Sequence, residues 1–246
     1  MSVPFPIGFK GGQTATAVRV DQPSDLSAAV AALGLHAPRL VVVLVGGAAL
    51  MDARDFGRLR PLFERGLVPV ADRLGVVVID GGTDAGVMHL IGRARTRAEA
   101  TFPLVGVPAL GTVRFPGRHP GARRRWPLDA HHPHFLLAPG AAWGDEAPWI
   151  ARVATELAGG WPSVTVLVNG GEISYLDVEC SLHTRRPVLA VAGSGRIADQ
   201  VASAVRGGPA DERAVRLAAS GLVEVVDADD LAALQGALGA RLQPPV

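Results

Sequence analysis

Short, near-continuous aliphatic runs recur along this 246-residue chain, and glycine-rich turns directly follow four of them. Runs that are apolar at consecutive positions, and not only at alternate ones, are typical of strands buried on both faces of a parallel sheet. Aromatic residues make up only 5% of the chain, so short aliphatic side chains must fill the core. We therefore predict strands at residues 16–20, 40–45, 76–79, 104–107, 135–138, 164–168, 188–191 and 223–226.

Helix-like segments separate the predicted strands, at residues 25–33, 52–73, 85–97, 145–157, 173–184, 197–205 and 229–238. A repeated β-α order predicts an α/β fold with a Rossmann-like, doubly wound, mainly parallel sheet flanked by helices. We expect one domain over residues 1–246, with its core at 40–205. Three segments do not follow the β-α alternation. We expect an irregular N-terminal segment at 1–15, a long loop at 108–133 and a polar connection at 208–214.

Charge and composition exclude several classes of partner. The net charge of +1 argues against a general nucleic-acid-binding protein, and the basic run at 118–125 is interpreted as a solvated loop, with a phosphate clamp as the alternative. The longest apolar run, residues 40–51, is broken by two glycines and is shorter than the roughly 20 residues of a membrane helix, so we expect no membrane partner. A single cysteine and the lack of a secretory signal pattern favour a cytoplasmic protein.

Glycine-rich turns at the ends of parallel strands are candidate anion sites. Helix N-termini offer unpaired N–H groups and the positive end of the helix dipole, and glycine lets an anion approach the backbone. One such turn alone is best explained as a simple reversal of the chain, but several on one sheet edge favour a ligand cleft. The candidate ligand-binding residues in the four turns are Gly46, Gly47, Gly81, Gly82, Thr83, Gly86, Gly170, Gly171, Gly193, Ser194 and Gly195.

Neither a Walker sequence nor a full Gly-x-Gly-x-x-Gly fingerprint occurs in these turns, which argues against ATPases and ordinary dehydrogenases. Arg196 follows the last turn directly, where a guanidinium could fork onto phosphate oxygens; a plain surface arginine is the alternative. Arg152 lies in the helix predicted after residues 135–138 and is a weaker candidate.

Three histidines, His131, His132 and His134, raise the question of a metal site. Their spacing does not fit one helix face, and Asp129 is the only carboxylate nearby in sequence. We therefore predict no metal and expect two of these imidazoles to cap or orient a loop.

Four stretches, at residues 78–88, 128–137, 167–171 and 186–199, resemble the SLOG superfamily, and within it the prokaryotic relatives of the cytosolic N-terminal domain of TRPM channels (the LSDAT group). The sequence Gly-Ser-Gly-Arg-Ile-Ala-Asp at 193–199 is the most specific of these matches. The resemblance implies a Rossmann-like module that binds a nucleotide-derived small molecule such as ADP-ribose as a sensor, and it is compatible with a homo-oligomer. The ligand-binding residues that it implies are Gly81, Gly82, Thr83, Gly86, Val87 and Arg196, with Arg152 as a further candidate.

A second branch of the same superfamily, formerly labelled lysine decarboxylases, releases free bases from nucleoside monophosphates with the motif Pro-Gly-Gly-x-Gly-Thr-x-x-Glu. Here residues 169–177 read Asn-Gly-Gly-Glu-Ile-Ser-Tyr-Leu-Asp. Ile173 replaces the third glycine of the motif and Asp177 replaces its glutamate. A branched side chain at 173 obstructs the approach of a phosphate to the backbone, so we favour binding over catalysis.

The main hypothesis is a sensor-type module that binds ADP-ribose or a similar phosphate ligand. The alternative is a nucleotide N-glycosidase or phosphoribohydrolase that uses Asp177, Glu172 and Asp84, with Arg196 as the phosphate clamp. A third hypothesis is a structural or partner-binding module without a small-molecule ligand.

Overall fold

A computed structural model describes residues 3–48, 51–117 and 125–244 of the chain. Within these ranges, nine strands form one sheet, and β6 and β7 pair separately. The strands are β1 (Phe5–Gly8), β2 (Thr14–Arg19), β3 (Val41–Gly46), β4 (Val77–Asp80), β5 (Leu104–Gly106), β6 (Val113–Arg114), β7 (Trp126–Pro127), β8 (His134–Leu137), β9 (Ser163–Val168), β10 (Val188–Ala192) and β11 (Val223–Asp227).

The sheet order is β1-β2-β8-β5-β4-β3-β9-β10-β11. Only β1 is antiparallel to its neighbour in this sheet, and every pair from β2 to β11 is parallel. The helices of the described residues are α1 (Leu26–Ala32), α2 (Ala53–Pro61), α3 (Val68–Leu74), α4 (Gly86–Arg97), α5 (Ala147–Ala158), α6 (Glu172–His183), α7 (Arg196–Val205), α8 (Glu212–Ala218) and α9 (Leu231–Arg241).

Alternate residues of β3 show why both faces of this sheet are covered. Val41, Val43 and Val45 pack into one core cluster, beneath α1, α5, α6, α7 and α8. Val42 and Leu44 pack into a second cluster on the opposite face, beneath α2, α3, α4 and α9. An aliphatic run that is buried on both sides in this way confirms the predicted Rossmann-like, doubly wound, mainly parallel sheet.

Several local predictions were wrong. The N-terminal segment expected to be irregular contains β1, which pairs with β2 at the edge of the sheet. Part of the loop predicted at 108–133 forms β6 and β7, while residues 118–124, which hold most of the basic run, lie outside the described residues. The polar connection expected at 208–214 ends in α8, whose first turn is capped by Asp211 through a 2.9 Å hydrogen bond from the Ala214 N–H.

The predicted helix at 52–73 is divided into α2, a π-helical turn at Leu62–Leu67 and α3. Pro61 and Pro69 lie at the two junctions, where the missing N–H of proline interrupts the regular pattern of helical hydrogen bonds. Among the helices that the structure describes, none is both long and apolar enough to cross a membrane.

Candidate ligand-binding site

A cavity of about 260 Å³ lies at the carboxyl-terminal ends of β3, β4 and β9. The chain continues from β3 to β4 on one side, whereas β9 lies on the other side of β3, so the order of the strands reverses at this point. Open α/β sheets bind ligands at such a reversal. The wall is formed by Leu44, Val45, Gly46, Ala48, Gly81, Thr83, Ala85, Met88, Pro108, Trp126, Trp143, Glu146, Ile150, Gly171, Glu172, Ile173, Ser174, Asp177 and Arg196.

The structure brings residues from all four predicted turns, or from directly beside them, to this wall. The predicted ligand-binding residues on it are Gly46, Gly81, Thr83, Gly171 and Arg196. Gly81 borders open space, because a Cβ built there would have no heavy atom within 4 Å. Gly171 is the N-cap of α6, and a Cβ built on it would lie 3.7 Å from Nη2 of Arg196. The guanidinium of Arg196 therefore lies beside the positive end of a 12-residue helix, an arrangement suited to an anion.

Other glycines of the turns pack against neighbouring backbone and do not line the cavity. Gly86 has a φ of +49°, and a Cβ built there would lie 1.8 Å from the carbonyl oxygen of Gly47. Gly82 has a φ of +68°, and a Cβ built on it would likewise lie too close to the Cα of Gly106. These close contacts hold the turns after β3 and β4 against each other and against the end of β5. The predicted residues that are absent from the cavity wall are Gly47, Gly82, Gly86, Val87, Arg152, Gly170, Gly193, Ser194 and Gly195.

Ser194 links two of the turns. Its fully buried hydroxyl donates to the Val191 carbonyl oxygen at 2.6 Å and accepts from the Asn169 N–H at 2.8 Å. The Ser194 carbonyl oxygen in turn accepts from Nδ2 of Asn169 and Nη2 of Arg58, both at 2.9 Å. Because backbone groups occupy the hydroxyl, Ser194 positions the turn before Arg196 and is not a candidate nucleophile. Sequence reasoning missed the contributions of Arg58 and Asn169.

Arg152 lies apart from the cavity wall. Its side chain is exposed on α5, and its guanidinium carbon is 5.5 Å from the centre of the Trp149 ring. The contacts in the structure give it a packing role on the helix surface.

Two carboxyl groups on the wall have raised pKa values. Burial, followed by repulsion from Glu146, raises the pKa of Asp177 to about 8. Burial also raises the pKa of Glu146, although its Oε2 accepts a 3.0 Å hydrogen bond from the Gly144 N–H. A carboxyl with a pKa near 8 is mostly protonated at pH 7 and can donate a hydrogen bond. Sequence reasoning missed Glu146, since no motif marks it.

The remaining candidates for catalysis differ in their positions. Glu172 reaches the wall but is exposed and paired with Nη2 of Arg213 at 2.8 Å, and that hydrogen bond lowers the pKa of Glu172. Asp84 is absent from the wall and contacts His89 instead. Of the three proposed acids, only Asp177 combines a place on the wall with a raised pKa.

Two tryptophans contribute aromatic surface that sequence reasoning also missed. Trp143 precedes α5 and is 48% exposed, so its ring is accessible at the rim of the cavity. Trp126 lies in β7 and donates from Nε1 to the Asp84 carbonyl oxygen at 3.2 Å. The wall thus offers both anion-binding groups and flat apolar surface, which suits a ligand with a phosphate and a ring.

A buried Asp80–His132–Asp129 network stabilises the turn after β4. Nε2 of His132 lies 3.0 Å from Asp80 Oδ1, and its Nδ1 lies 3.0 Å from Asp129 Oδ1. Burial alone would lower the pKa of His132, but the two carboxylates outweigh burial and raise it to about 10. Asp80 Oδ1 also accepts from the Gly82 N–H at 2.7 Å. His132 therefore connects the loop before β8 to the glycine turn, as expected for a loop-orienting imidazole.

Comparison with known proteins identifies relatives over most of the chain. The family described as "SLOG in TRPM, prokaryote" matches residues 39–235. The mouse transient receptor potential cation channel subfamily M member 2 is 29% identical over 204 residues, which cover 69% of this chain and 13% of the channel. The subfamily M member-like 2 protein of Nematostella vectensis is 27% identical over 237 residues, covering 79% of this chain and 15% of that protein. The chain thus spans a small fraction of the length of these channels.

Solved structures with the same architecture share little sequence with this chain. The molybdenum cofactor binding protein of Rippkaea orientalis superposes with a TM-score of 0.52 at 11% identity, covering 82% of this chain and 98% of that one. The structural-genomics protein TM1055 superposes with a TM-score of 0.56 at 19% identity, covering 81% of this chain and 98% of that one. At these identities the similarity shows a common fold.

Proposed function

Because the chain belongs to the prokaryotic family of SLOG domains related to TRPM channels, we propose that it binds a nucleotide-derived small molecule of the ADP-ribose type. The proposed site is the cavity at the carboxyl-terminal ends of β3, β4 and β9. The observation that carries this proposal is the position of the Arg196 guanidinium beside Gly171, at the N-terminus of α6 and on the same wall as Gly81 and Thr83.

In this proposal the phosphate binds between Arg196 and the first turn of α6, where the positive end of the helix dipole favours an anion. The contact with the guanidinium is charge-assisted, and the backbone turn that carries Arg196 is held by Ser194 and Asn169. The ring of the ligand packs on apolar surface such as that of Trp143. A volume of about 260 Å³ is below the usual range of roughly 300–1,000 Å³ for ligand sites, so a dinucleotide-sized ligand extends past the exposed Trp143.

The test is a thermal-shift and calorimetric titration of the full chain with ADP-ribose, NAD, AMP and cyclic AMP. A ligand present at 100 times its Kd stabilises the folded state by about 2.7 kcal/mol, which gives a clear shift of the unfolding midpoint. Arg196→Gln should weaken binding by roughly tenfold or more, because it removes a charge-assisted phosphate contact. Arg216→Gln, which removes an exposed guanidinium from α8, is the matched control and should bind as the wild type does.

No shift with any of the four compounds at millimolar concentration would contradict the proposal. Equal binding by Arg196→Gln and Arg216→Gln would exclude this cavity as the site while leaving nucleotide binding itself in place.

A second candidate function, hydrolysis of the N-glycosidic bond of a nucleotide, is favoured by one observation. Asp177, with a pKa of about 8, faces the cavity that also contains Arg196 and Glu146. A carboxyl group that is protonated at neutral pH can act as a general acid towards a departing base, while Arg196 holds the phosphate. Ile173 and Asp177, both on this wall, replace the third glycine and the glutamate of the base-releasing motif, and this departure from the motif favours binding over the reaction.

Chromatography of free bases after incubation with nucleoside monophosphates separates the two functions. Hydrolysis predicts base release that Asp177→Asn abolishes while nucleotide binding persists. Binding without hydrolysis predicts no release by either protein.

A further inference from the structure

Three side chains converge outside the cavity, close to the glycine turn that follows β4. Thr83 and Met88 line the cavity, whereas the next residues along the chain, Asp84 and His89, contact Asp129 of the loop before β8. Nδ1 of His89 lies 2.6 Å from Asp84 Oδ1 and 3.8 Å from Asp129 Oδ2. One ligand atom from each residue lies within 4.8 Å of the other two. We propose that Asp84, His89 and Asp129 bind a divalent transition-metal ion such as Zn²⁺ or Mn²⁺.

The state of Asp129 points to a cation. The residue is 1% exposed, and its Oδ1 accepts hydrogen bonds from the His131 N–H at 2.9 Å and lies 3.0 Å from His132 Nδ1. Its Oδ2 is buried, faces His89 and Asp84, and has no hydrogen-bond partner among the described residues. Buried carboxylate oxygens are almost always paired, because leaving one unpaired is costly. A cation at this position pairs with it directly.

An ion pair between Asp84 and protonated His89 is the simpler explanation of their 2.6 Å contact. That pair does not provide a hydrogen bond to Asp129 Oδ2, which is 3.8 Å from the same imidazole nitrogen. The charges also favour a cation, because the three carboxylates Asp80, Asp84 and Asp129 surround two imidazoles, His132 and His89.

Donor chemistry and geometry both fit an ion of this class. Two carboxylates and one imidazole suit zinc and manganese, and three protein ligands leave a position open for water. Bonds of about 2.0–2.2 Å in a tetrahedral site place neighbouring ligand atoms roughly 3.4 Å apart, so the contacts of 2.6 and 3.8 Å need adjustments of less than 1 Å. Asp84, with a side chain that is 45% exposed, provides the route from solvent.

Backbone packing holds the cluster in place. Asp129 donates from its N–H to the Gly82 carbonyl oxygen at 3.0 Å, which fixes the loop against the turn. A Cβ built on Gly92 of α4 would lie 2.5 Å from Asp129 Oδ1, so glycine at 92 provides the room for the carboxylate beside the helix. The carboxylate of Asp129 is therefore preorganised by backbone packing.

The test uses the full chain after removal of metals with a chelator, titrated with Mn²⁺ by electron paramagnetic resonance and with Zn²⁺ by calorimetry. We expect one ion per chain for at least one of the two metals, and a loss of affinity of about tenfold or more in both Asp84→Asn and His89→Gln. Asp229→Asn and His183→Gln remove an exposed carboxylate and an exposed imidazole elsewhere, and should keep the wild-type affinity.

Circular dichroism confirms that each variant is folded. The test substitutes Asp84 and His89 and leaves Asp129 unchanged. Asp129 also contacts the buried His132, so its loss would disturb the fold. Failure to bind either metal at millimolar concentration would overturn the proposal, as would full affinity in either Asp84→Asn or His89→Gln.

Discussion

Ser194 Oγ accepts a hydrogen bond from the backbone N–H of Asn169 at 2.8 Å, and this bond joins the turn after β10 to the turn after β9. The two turns carry Arg196 and Gly171, which face each other at the cavity. The geometry of the proposed anion site therefore depends on a hydroxyl that does not reach the cavity itself.

Replacing that hydroxyl should destabilise the fold. Ser194→Ala leaves the buried Asn169 N–H without its acceptor, so we expect a loss of about 1–3 kcal/mol in the free energy of unfolding, measured by urea denaturation. Ser24→Ala, exposed in the segment before α1, is the matched control and should change stability by less than about 0.5 kcal/mol. Equal effects of the two substitutions would show that the hydrogen bond does not join the turns.

The Asp80–His132–Asp129 network predicts a pH dependence. The pKa of His132 rises from 6.5 to about 10 on folding, so the folded state binds a proton that the unfolded state releases above pH 6.5. The resulting stabilisation is fully present below pH 6.5 and is lost as the pH rises towards 10. Urea denaturation between pH 6 and 10 should show falling stability in the wild type.

His132→Gln is the comparison for that measurement. It keeps a polar side chain but cannot titrate, so its stability should be lower at pH 6 and should fall less steeply towards pH 10. A variant with the same slope as the wild type would show that another group causes the pH dependence.

Two glycines with opposite environments provide a direct test of the packed turns. Gly86→Ala places a methyl group 1.8 Å from the Gly47 carbonyl oxygen, at a φ of +49°, and should destabilise the protein by roughly 3 kcal/mol or more. Gly57→Ala lies within α2, where a Cβ meets no heavy atom within 4 Å, and should stabilise it by up to about 1 kcal/mol. Both are measured by urea denaturation, and a tolerated alanine at 86 would contradict the close contact between the turns.

The fold could be predicted because its parallel strands are aliphatic on both faces. Elements without that signature escaped prediction. Strand β1 was missed because it contains Pro6 and Gly8, which are unusual in strands. An edge strand tolerates proline because one side of its backbone has no sheet partner. The α8 segment has only seven residues, of which three are charged and only Ala214 and Leu217 are buried, so its helical period is weak in sequence.

The candidate site was predictable only in part. The glycine turns mark the edge of the sheet where the cavity lies, but sequence cannot show that Gly81 borders open space while Gly86 packs against Gly47. That difference depends on how separate turns meet in three dimensions. Glu146 and Trp143 reach the wall from the segment before α5, which carries no motif, so only the tertiary structure reveals them.

The buried carboxyl of Asp177 should destabilise the folded state at neutral and alkaline pH. Its pKa rises from 3.8 to about 8 on folding, because it is buried and close to Glu146, so the folded state must either keep a proton or bury a charge. The stability associated with the protonated form is fully present below pH 3.8 and is lost as the pH rises through 8. Asp177→Asn, a neutral side chain of similar shape, should therefore be more stable than the wild type by at least about 1 kcal/mol at pH 8, and the difference should shrink towards pH 4.

Urea denaturation at both pH values measures this, with the exposed Asp229→Asn as control. A wild type that matches Asp177→Asn at pH 8 would mean that the carboxyl ionises freely, and Asp177 would then be unable to donate a proton to a ligand in the cavity.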